Sequence, residues 1–334
     1  MTETTPPPLR TAIIGYGESG RLSHAYGLQA NPAFEIVAAC DFSPDNRERA
    51  AHELDCPVYP DHRAMLEAEA LDLVSVVTRS DTHAAIVCDC LEAGAHAVVT
   101  KPWALDQNEA EAMMRTEAAT GRRIFPWIPM YWSPDFRALQ GLLAEDAIGE
   151  VFLIRRYYSD FRRREDWQTE RRFGGGYLLN WGMHIIQPVL ALAGSPPRRV
   201  YGQLQQAINP GDAEDNFMAV VEFENGVRGV AEFTESLFPL PAFLLQGTRG
   251  TILVENEHIT VRTQDPSDAS TAQTRVIRLE GKQFGDEAEI YRDIGRSLRE
   301  DGPFLTPSRL AWEGTRVLDA VRRSHETQSV VTLS

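Results

Sequence analysis

Two short stretches hold residues whose types and spacing suit chemistry. In GGGYLLNWGMHII, residues 174–186, Asn180 and His184 stand four apart in an apolar, helix-like run, which sets both side chains on one helical face. A histidine there is either a packed core residue or a proton-transfer group. Imidazole titrates near neutral pH and suits general acid–base work, whereas the amide of Asn180 donates and accepts hydrogen bonds but takes no proton. Ahead of the run, Gly174, Gly175 and Gly176 are expected to offer backbone N–H groups at a helix start and room for a ligand to approach.

The second stretch, GYGESG, sets Gly15, Gly17 and Gly20 in G-x-G-x-x-G spacing, after the strand-like RTAIIG and before a helical pattern. In such a loop the first glycine permits a tight turn, the second lets the backbone approach a pyrophosphate, and the third lets helix and strand pack closely. The next strand pattern ends at Asp41, where a carboxylate suits hydrogen bonds from an adenosine ribose. Strand, glycines, helix and acid in this order indicate dinucleotide binding, with Ser19 and Phe42 among the contacting residues. The charge of Asp41 opposes the extra 2′-phosphate of NADP, so NAD is preferred, although Ser43 and Arg47 lie near enough in sequence to offset it. Glu18 must point to solvent, because a carboxylate beside a pyrophosphate is unfavourable. Thr78, Ser80 and His83 follow the fourth strand pattern and are expected along the path from adenosine to nicotinamide, His83 equally as a helix-start group.

The elements that must position these residues follow from periodicity. In the first half, apolar runs of strand length (RTAIIG, EIVAACD, PVYP, LDLVSVVT, HAVVT, RIFPWI) alternate with helical segments, which implies a mainly parallel sheet covered on both faces. In the second half EVFLIRRYY, RVYGQLQQ, DNFMAVVEFE, VRGVAEFTES, FLLQG, TILVEN, HITVRT and TRVIRL are strand-like, with the hairpin signal Asn225-Gly226 between two of them. Helices are expected after Pro134, Gly176, Asp286 and Pro307. The fold class is thus α/β plus α+β: a Rossmann-type domain over 1–125 and a domain with an open, mainly antiparallel sheet over 126–334.

Composition bounds the function. A chain of 334 residues is long enough for two domains. Its 33 Lys and Arg against 48 Asp and Glu leave a net charge of −15, which repels nucleic acid and anionic membranes and points to small-molecule partners. MTETTPPPLR has the look of a tail before the first strand rather than a leader or anchor, and no apolar run reaches the ~18 residues of a membrane span. Four cysteines are too sparse for a disulfide scaffold, and a cytoplasmic location is expected. Cys88 and Cys90, with His83 and His96 in the same region, raise the question of a metal. Two residues on a helix turn through about 200°, so their sulfurs diverge and no metal is expected.

Beyond the glycine loop and Asp41, the runs TRSDTHAAIVCDCLEAGAHAVVTKP, DWQTERRFGGGYLLNWGMH and GTRGTILVEN resemble the Gfo/Idh/MocA family of sugar and inositol oxidoreductases over nearly the whole chain. The resemblance implies NAD(P)-dependent hydride transfer at a secondary hydroxyl of a sugar, inositol or related polyol, and a homodimer or homotetramer formed through the C-terminal sheet. The family's Glu-Lys-Pro lysine maps onto Lys101, with Thr100 in place of the glutamate, and its Asp-x-x-x-His pair maps onto Asn180 and His184. Lys101 then serves as the base, favoured in its neutral form by a positive nicotinamide ring and partial burial. Asn180 holds geometry and His184 touches the hydroxyl. Trp167 is implied near nicotinamide or sugar, and Asp160 and Arg172 join Lys101, Asn180 and His184 as substrate contacts.

Arg162, Arg163, Arg164, Arg171 and Arg172 form either a solvated loop or a clamp for a substrate carboxylate or phosphate. Two other readings stay open. One is a glycoside-cleaving enzyme that retains NAD through oxidation and elimination. The other, suggested by the departures at Thr100 and Asn180, is a nicotinamide-binding sensor or scaffold without catalysis.

Overall fold

The first apolar runs form β1 (Leu9–Ile14), β2 (Phe34–Cys40), β3 (Val58–Tyr59), β4 (Leu73–Val76), β5 (His96–Val99) and β6 (Ile124–Pro126), which pair in parallel in the order β3-β2-β1-β4-β5-β6. This is a computed structural model and describes residues 6–333; residues 1–5, where the expected tail begins, lie outside the described residues. Ala12, Ile13, Leu73, Val74, Ala97 and Val98 are fully enclosed, as expected of strands with both faces covered. The strand order reverses between β1 and β4, and in open parallel sheets ligands lie outside the carboxyl ends of the strands at such a point.

Local signals start and stop the connecting helices. Ser43, Asp61 and Asp106 accept first-turn N–H groups of α2 (Pro44–Leu54), α3 (His62–Ala68) and α5 (Gln107–Thr120). Gly121 ends α5 in a left-handed conformation. The helix after the glycine loop departs from the regular one expected, since Gly20–Ala25 is wound as a π-helix before the single turn of α1 (Tyr26–Gln29). α4 spans His83–Glu92.

The chain divides into two units, the first holding residues up to Pro129 with Asp286–Trp312, and the second Met130–Gly285 with the residues from Glu313 onward. Sequence reading set a single boundary after residue 125, so the return of Asp286–Trp312 to the first unit is a departure from it. Its cause lies in α8 (Glu287–Arg299). The hydroxyl of Tyr291 on this helix stands 2.7 Å from both Ser75 Oγ and His24 Nδ1. Gly27 makes room for the ring, because a Cβ there would come within 2.5 Å of Tyr291 Cδ2. Further along, Phe304 packs edge-on against Phe125, and Thr306 donates to the carbonyl of Pro126.

In the second unit β7 (Val151–Asp160), β8 (Pro197–Gln205), β9 (Asn216–Phe223), β10 (Arg228–Glu235), β11 (Phe243–Gly247), β12 (Gly250–Glu255), β13 (His258–Asp265), β14 (Asp268–Arg278) and β15 (Val331–Thr332) form a nine-stranded sheet. Its order is β14-β13-β12-β11-β7-β10-β9-β8-β15. It is antiparallel except where β7 runs parallel to β10. Asn225-Gly226 turns β9 into β10, with Gly226 at φ +86°. Alternate residues of β9, Phe217, Ala219, Val221 and Phe223, are buried. α6 (Pro134–Ala144) begins at the expected signal Pro134 itself, and α7 (Tyr177–Ala193), α8 and α9 (Ser308–Thr327) begin directly after Gly176, Asp286 and Pro307. Among the described residues no helix is long and apolar enough to cross a membrane.

Candidate active site

The glycine loop separates three demands. A Cβ at Gly15, whose φ is +95°, would stand 2.2 Å from the carbonyl oxygen of Val77, and one at Gly20 would stand 2.0 Å from the carbonyl oxygen of Gly15. Both positions are therefore closed by protein backbone. At Gly17 a Cβ would meet no atom within 4 Å, so the space before that residue fits the pyrophosphate that such a loop receives. Glu18 and Ser19 are exposed at the loop's tip.

Asp41 closes β2 with its carboxylate buried, at 6% exposure. It accepts the Tyr16 N–H at 2.7 Å, the Ser43 N–H at 2.8 Å and the Nδ2 amide of Asn46 at 3.1 Å. The acid thereby ties the glycine loop to the start of α2. Phe42 beside it is 88% exposed, an apolar ring open to a ligand's flat face. Arg47 donates through Nη1 to the carbonyls of Asp41 and Phe42.

His83 joins the ends of β4 and β5. The ring is enclosed, at 1% exposure, with Nδ1 2.8 Å from the carbonyl of Pro102 and Nε2 3.0 Å from that of Thr78. It thus stands at the start of α4 behind the strand ends, the second of the two expected roles. Burial pushes its pKa below the ordinary value, although both carbonyls act the other way. The peptide from Lys101 to Pro102 is cis. Thr100 Oγ1, where the family motif has a glutamate, lies 3.4 Å from His83 Nε2 and donates to Val76 O at 3.3 Å. Thr78 and Thr82 share a hydroxyl–hydroxyl bond of 2.7 Å, and Ser80 is buried at the turn between them.

On the second unit, Gly175 and Gly176 before α7 do not leave room for a ligand. The N–H groups of Gly174, Gly175 and Gly176 donate to the carbonyls of Arg171, Glu170 and Gln168. A Cβ at Gly175 would stand 2.6 Å from the carbonyl oxygens of Gln168 and Glu170, and one at Gly176 would stand 2.3 Å from Glu214 Oε1. The N–H groups of Tyr177 and Leu178 go to the carbonyl and carboxylate of Glu214. The expected opening is filled because an acid from the loop before β9 caps the helix. Burial pushes the Glu214 carboxyl above the usual range.

Along α7, Asn180 Nδ2 donates to Gln168 Oε1 at 2.5 Å. His184 is buried, at 7% exposure, with its ring 5.8 Å from Trp181 and 5.7 Å from Phe284. Trp181 stacks on Tyr158 with centroids 4.3 Å apart and planes at 24°. Trp167 opens the short turn Trp167–Thr169, half-buried, and Asp160 ends β7 at the surface.

Three arginines of the cluster are paired locally. Arg163 pairs with Glu165, Arg164 with Asp166, and Arg172 with Glu170 at 2.6 Å, the last lying over the ring of Phe173. Among the described residues no group of three or more His, Cys, Asp or Glu could hold a metal ion. Cys90 is buried, whereas Cys88 Sγ meets Thr116 Oγ1 at 3.4 Å.

Asn46, Gln168, Trp181 and Glu214 were not singled out from the sequence. Trp181 sits beside Asn180 in the same run and could have been. Asn46 lies only five residues from Asp41, whereas Gln168 and Glu214 reach their partners through tertiary folding, for which no spacing rule gives a signal.

Residues 9–126 match the family model described as oxidoreductase family, NAD-binding Rossmann fold, and residues 136–253 match the GFO/IDH/MocA C-terminal domain. The oxidoreductase YdgJ of Escherichia coli is 27% identical over 218 residues, 64% of this chain and 62% of its own length, so the match spans less than two thirds of that relative. The scyllo-inositol 2-dehydrogenase (NADP(+)) IolW of Bacillus subtilis is 22% identical over 354 aligned residues, covering 97% of this chain and 96% of the relative. In fold, the chain is similar to an NAD-binding protein from Listeria innocua, with a TM-score of 0.88, 23% identity and 97% and 96% of the two chains covered. With family matches on both halves, an open Gly17 and an anchored Asp41, the chain belongs to the Gfo/Idh/MocA oxidoreductases and carries their NAD-binding Rossmann domain.

Proposed function

We propose that the protein transfers hydride between nicotinamide and a secondary hydroxyl of a sugar, inositol or related polyol. The observation that carries this reading is the place of Lys101. It stands two residues past the end of β5, at the same carboxyl edge of the parallel sheet where β1 delivers the glycine loop and β2 delivers Asp41. That edge is where a nucleotide is held.

NAD, when bound, supplies the hydride acceptor or donor. The hydroxyl proton needs a side chain. Lys101 takes it on Nζ as a neutral amine, His184 hydrogen-bonds the reacting hydroxyl, and Asn180, held by Gln168, orients without exchanging a proton. Gly15, Gly17, Ser19, Gly20, Asp41, Phe42, Thr78, Ser80 and Trp167 serve the nucleotide, and His83 positions the Lys101 segment from behind through the strand ends it joins. Asp160 and Arg172 serve the substrate. Trp181, stacked on both Tyr158 and Phe233, packs beside the His184 ring.

The proposed assembly is a homodimer or homotetramer through the C-terminal sheet, whose strands expose Phe152, Tyr201 and Val276. Four free cysteines suit a reducing compartment, and the cytoplasm is the proposed location. The test is a panel of sugars, inositols and their ketones, with NAD and NADP, followed at the absorbance of the reduced cofactor. Turnover of a polyol supports the reading. Cofactor binding without turnover across the panel, or release of a glycoside's leaving group without net cofactor reduction, overturns it.

A further inference from the structure

We infer that Asn46, on the first turn of α2, enforces a preference for NAD over NADP by locking the carboxylate of Asp41. Three segments converge on that group. Oδ2 accepts the Tyr16 N–H of the glycine loop at 2.7 Å and the Asn46 amide at 3.1 Å, and Oδ1 accepts the Ser43 N–H at 2.8 Å. A carboxylate has about four lone-pair sites, so three donors leave roughly one, on Oδ1, for an incoming ribose hydroxyl.

A ribose hydroxyl can donate to that site. A 2′-phosphate cannot, since it is an acceptor bearing negative charge, and it would need the carboxylate to turn away. Turning Asp41 means breaking its bonds to the glycine loop and to Asn46. The two N–H donors belong to the backbone and persist whatever side chains stand there. Asn46 contributes the side-chain donor and is the part of the lock that substitution can remove.

The groups at this corner that could favour a phosphate are only partly engaged. Ser43 Oγ accepts the Asn46 N–H at 3.5 Å as the cap of α2. Arg47 Nη1 bridges the carbonyls of Asp41 and Phe42 at 2.8 and 2.9 Å, which draws the guanidinium onto the backbone. Ser43 thus keeps its hydroxyl donor, and what is reduced is the reach of Arg47 toward a phosphate.

The inference rests on the NAD-binding domain and not on the proposed hydride chemistry, so a protein without turnover on any polyol still tests it. The measurement is titration of the full chain with NADH and NADPH, read by cofactor fluorescence. In the wild type NADH is expected to bind about a hundredfold more tightly. Asn46→Ala lowers that ratio about tenfold, mainly by strengthening NADPH. Asp41→Ser brings it near one, and Arg47→Ala leaves it within about threefold of the wild type. A wild type that binds NADPH as tightly as NADH overturns the inference whether or not any variant folds. So does an Asn46→Ala protein with an unchanged ratio and thermal midpoint, or an Arg47→Ala protein that loses NADPH alone.

Discussion

The carboxylate of Glu214 fills the space that a side chain on Gly176 would need. The same oxygen, Oε1, that would lie 2.3 Å from a Cβ at residue 176 accepts the Leu178 N–H at 3.1 Å. The acid thus caps α7, the helix that carries Asn180 and His184, and the glycine is the opening through which it reaches the first turn.

Gly176→Ala should accordingly destabilise the chain by about 2–4 kcal/mol, combining a φ of +102° with displacement of the cap. Urea unfolding of the full chain measures it. A loss under about 0.5 kcal/mol would mean that the first turn of α7 moves freely and that Glu214 does not fix it.

His24 gives acid sensitivity to the first unit. Burial lowers its pKa from 6.5 to about 3, so between these values the unfolded chain holds a proton that the folded chain does not. Its contribution to stability is present above pH 6.5 and is lost as pH falls toward 3, at about 1.4 kcal/mol per pH unit. His24→Gln should reduce proton uptake on unfolding at pH 5 by about one. An unchanged pH slope would show that His24 is protonated in the folded protein.

His83 should act as a positioning residue for the segment that holds Lys101. Without the ring that stands between Thr78 O and Pro102 O and donates to one of them, His83→Leu is expected to lower kcat at least about tenfold, since small misplacements of a reacting group are costly. NADH affinity should stay within about threefold. His83→Gln, which keeps one donor, should recover part of kcat. Equal losses in both variants, with NADH binding lost as well, would indicate a general structural role.

Asn180→Asp is expected to move the acid limb of the pH–rate profile upward, because a carboxylate holds protons on neighbouring bases. The change also places an acceptor against Gln168 Oε1, now 2.5 Å from the Asn180 amide, so the Gln168 amide must turn to donate instead. An acid limb that stays in place would count against any influence of residue 180 on the titration of the base.

Much of the fold is legible in the sequence because its signals are local. Continuous apolar runs mark the six parallel strands, Asn225-Gly226 marks a hairpin, and Pro134, Gly176, Asp286 and Pro307 mark helix starts. The destination of α8 is not local. Its periodicity shows that Ile290, Tyr291 and Ile294 are buried, but not that Tyr291 meets Ser75 and His24. β15, two residues long, is too short to show alternation.

The candidate site divides in the same way. Gly15, Gly17, Gly20 and Asp41 could be read from spacing, because a dinucleotide loop demands each of them locally. For Gly175 and Gly176 the sequence says that something comes close, and only folding shows that it is backbone and Glu214.

Hydride transfer through Lys101 is tested most directly by comparing wild type and Lys101→Met, with NAD and the best polyol of the panel, by absorbance of the reduced cofactor. The expected result is a fall in kcat of at least about a hundredfold with NADH affinity retained. A Lys101→Met protein that reduces NAD at the wild-type rate would contradict it.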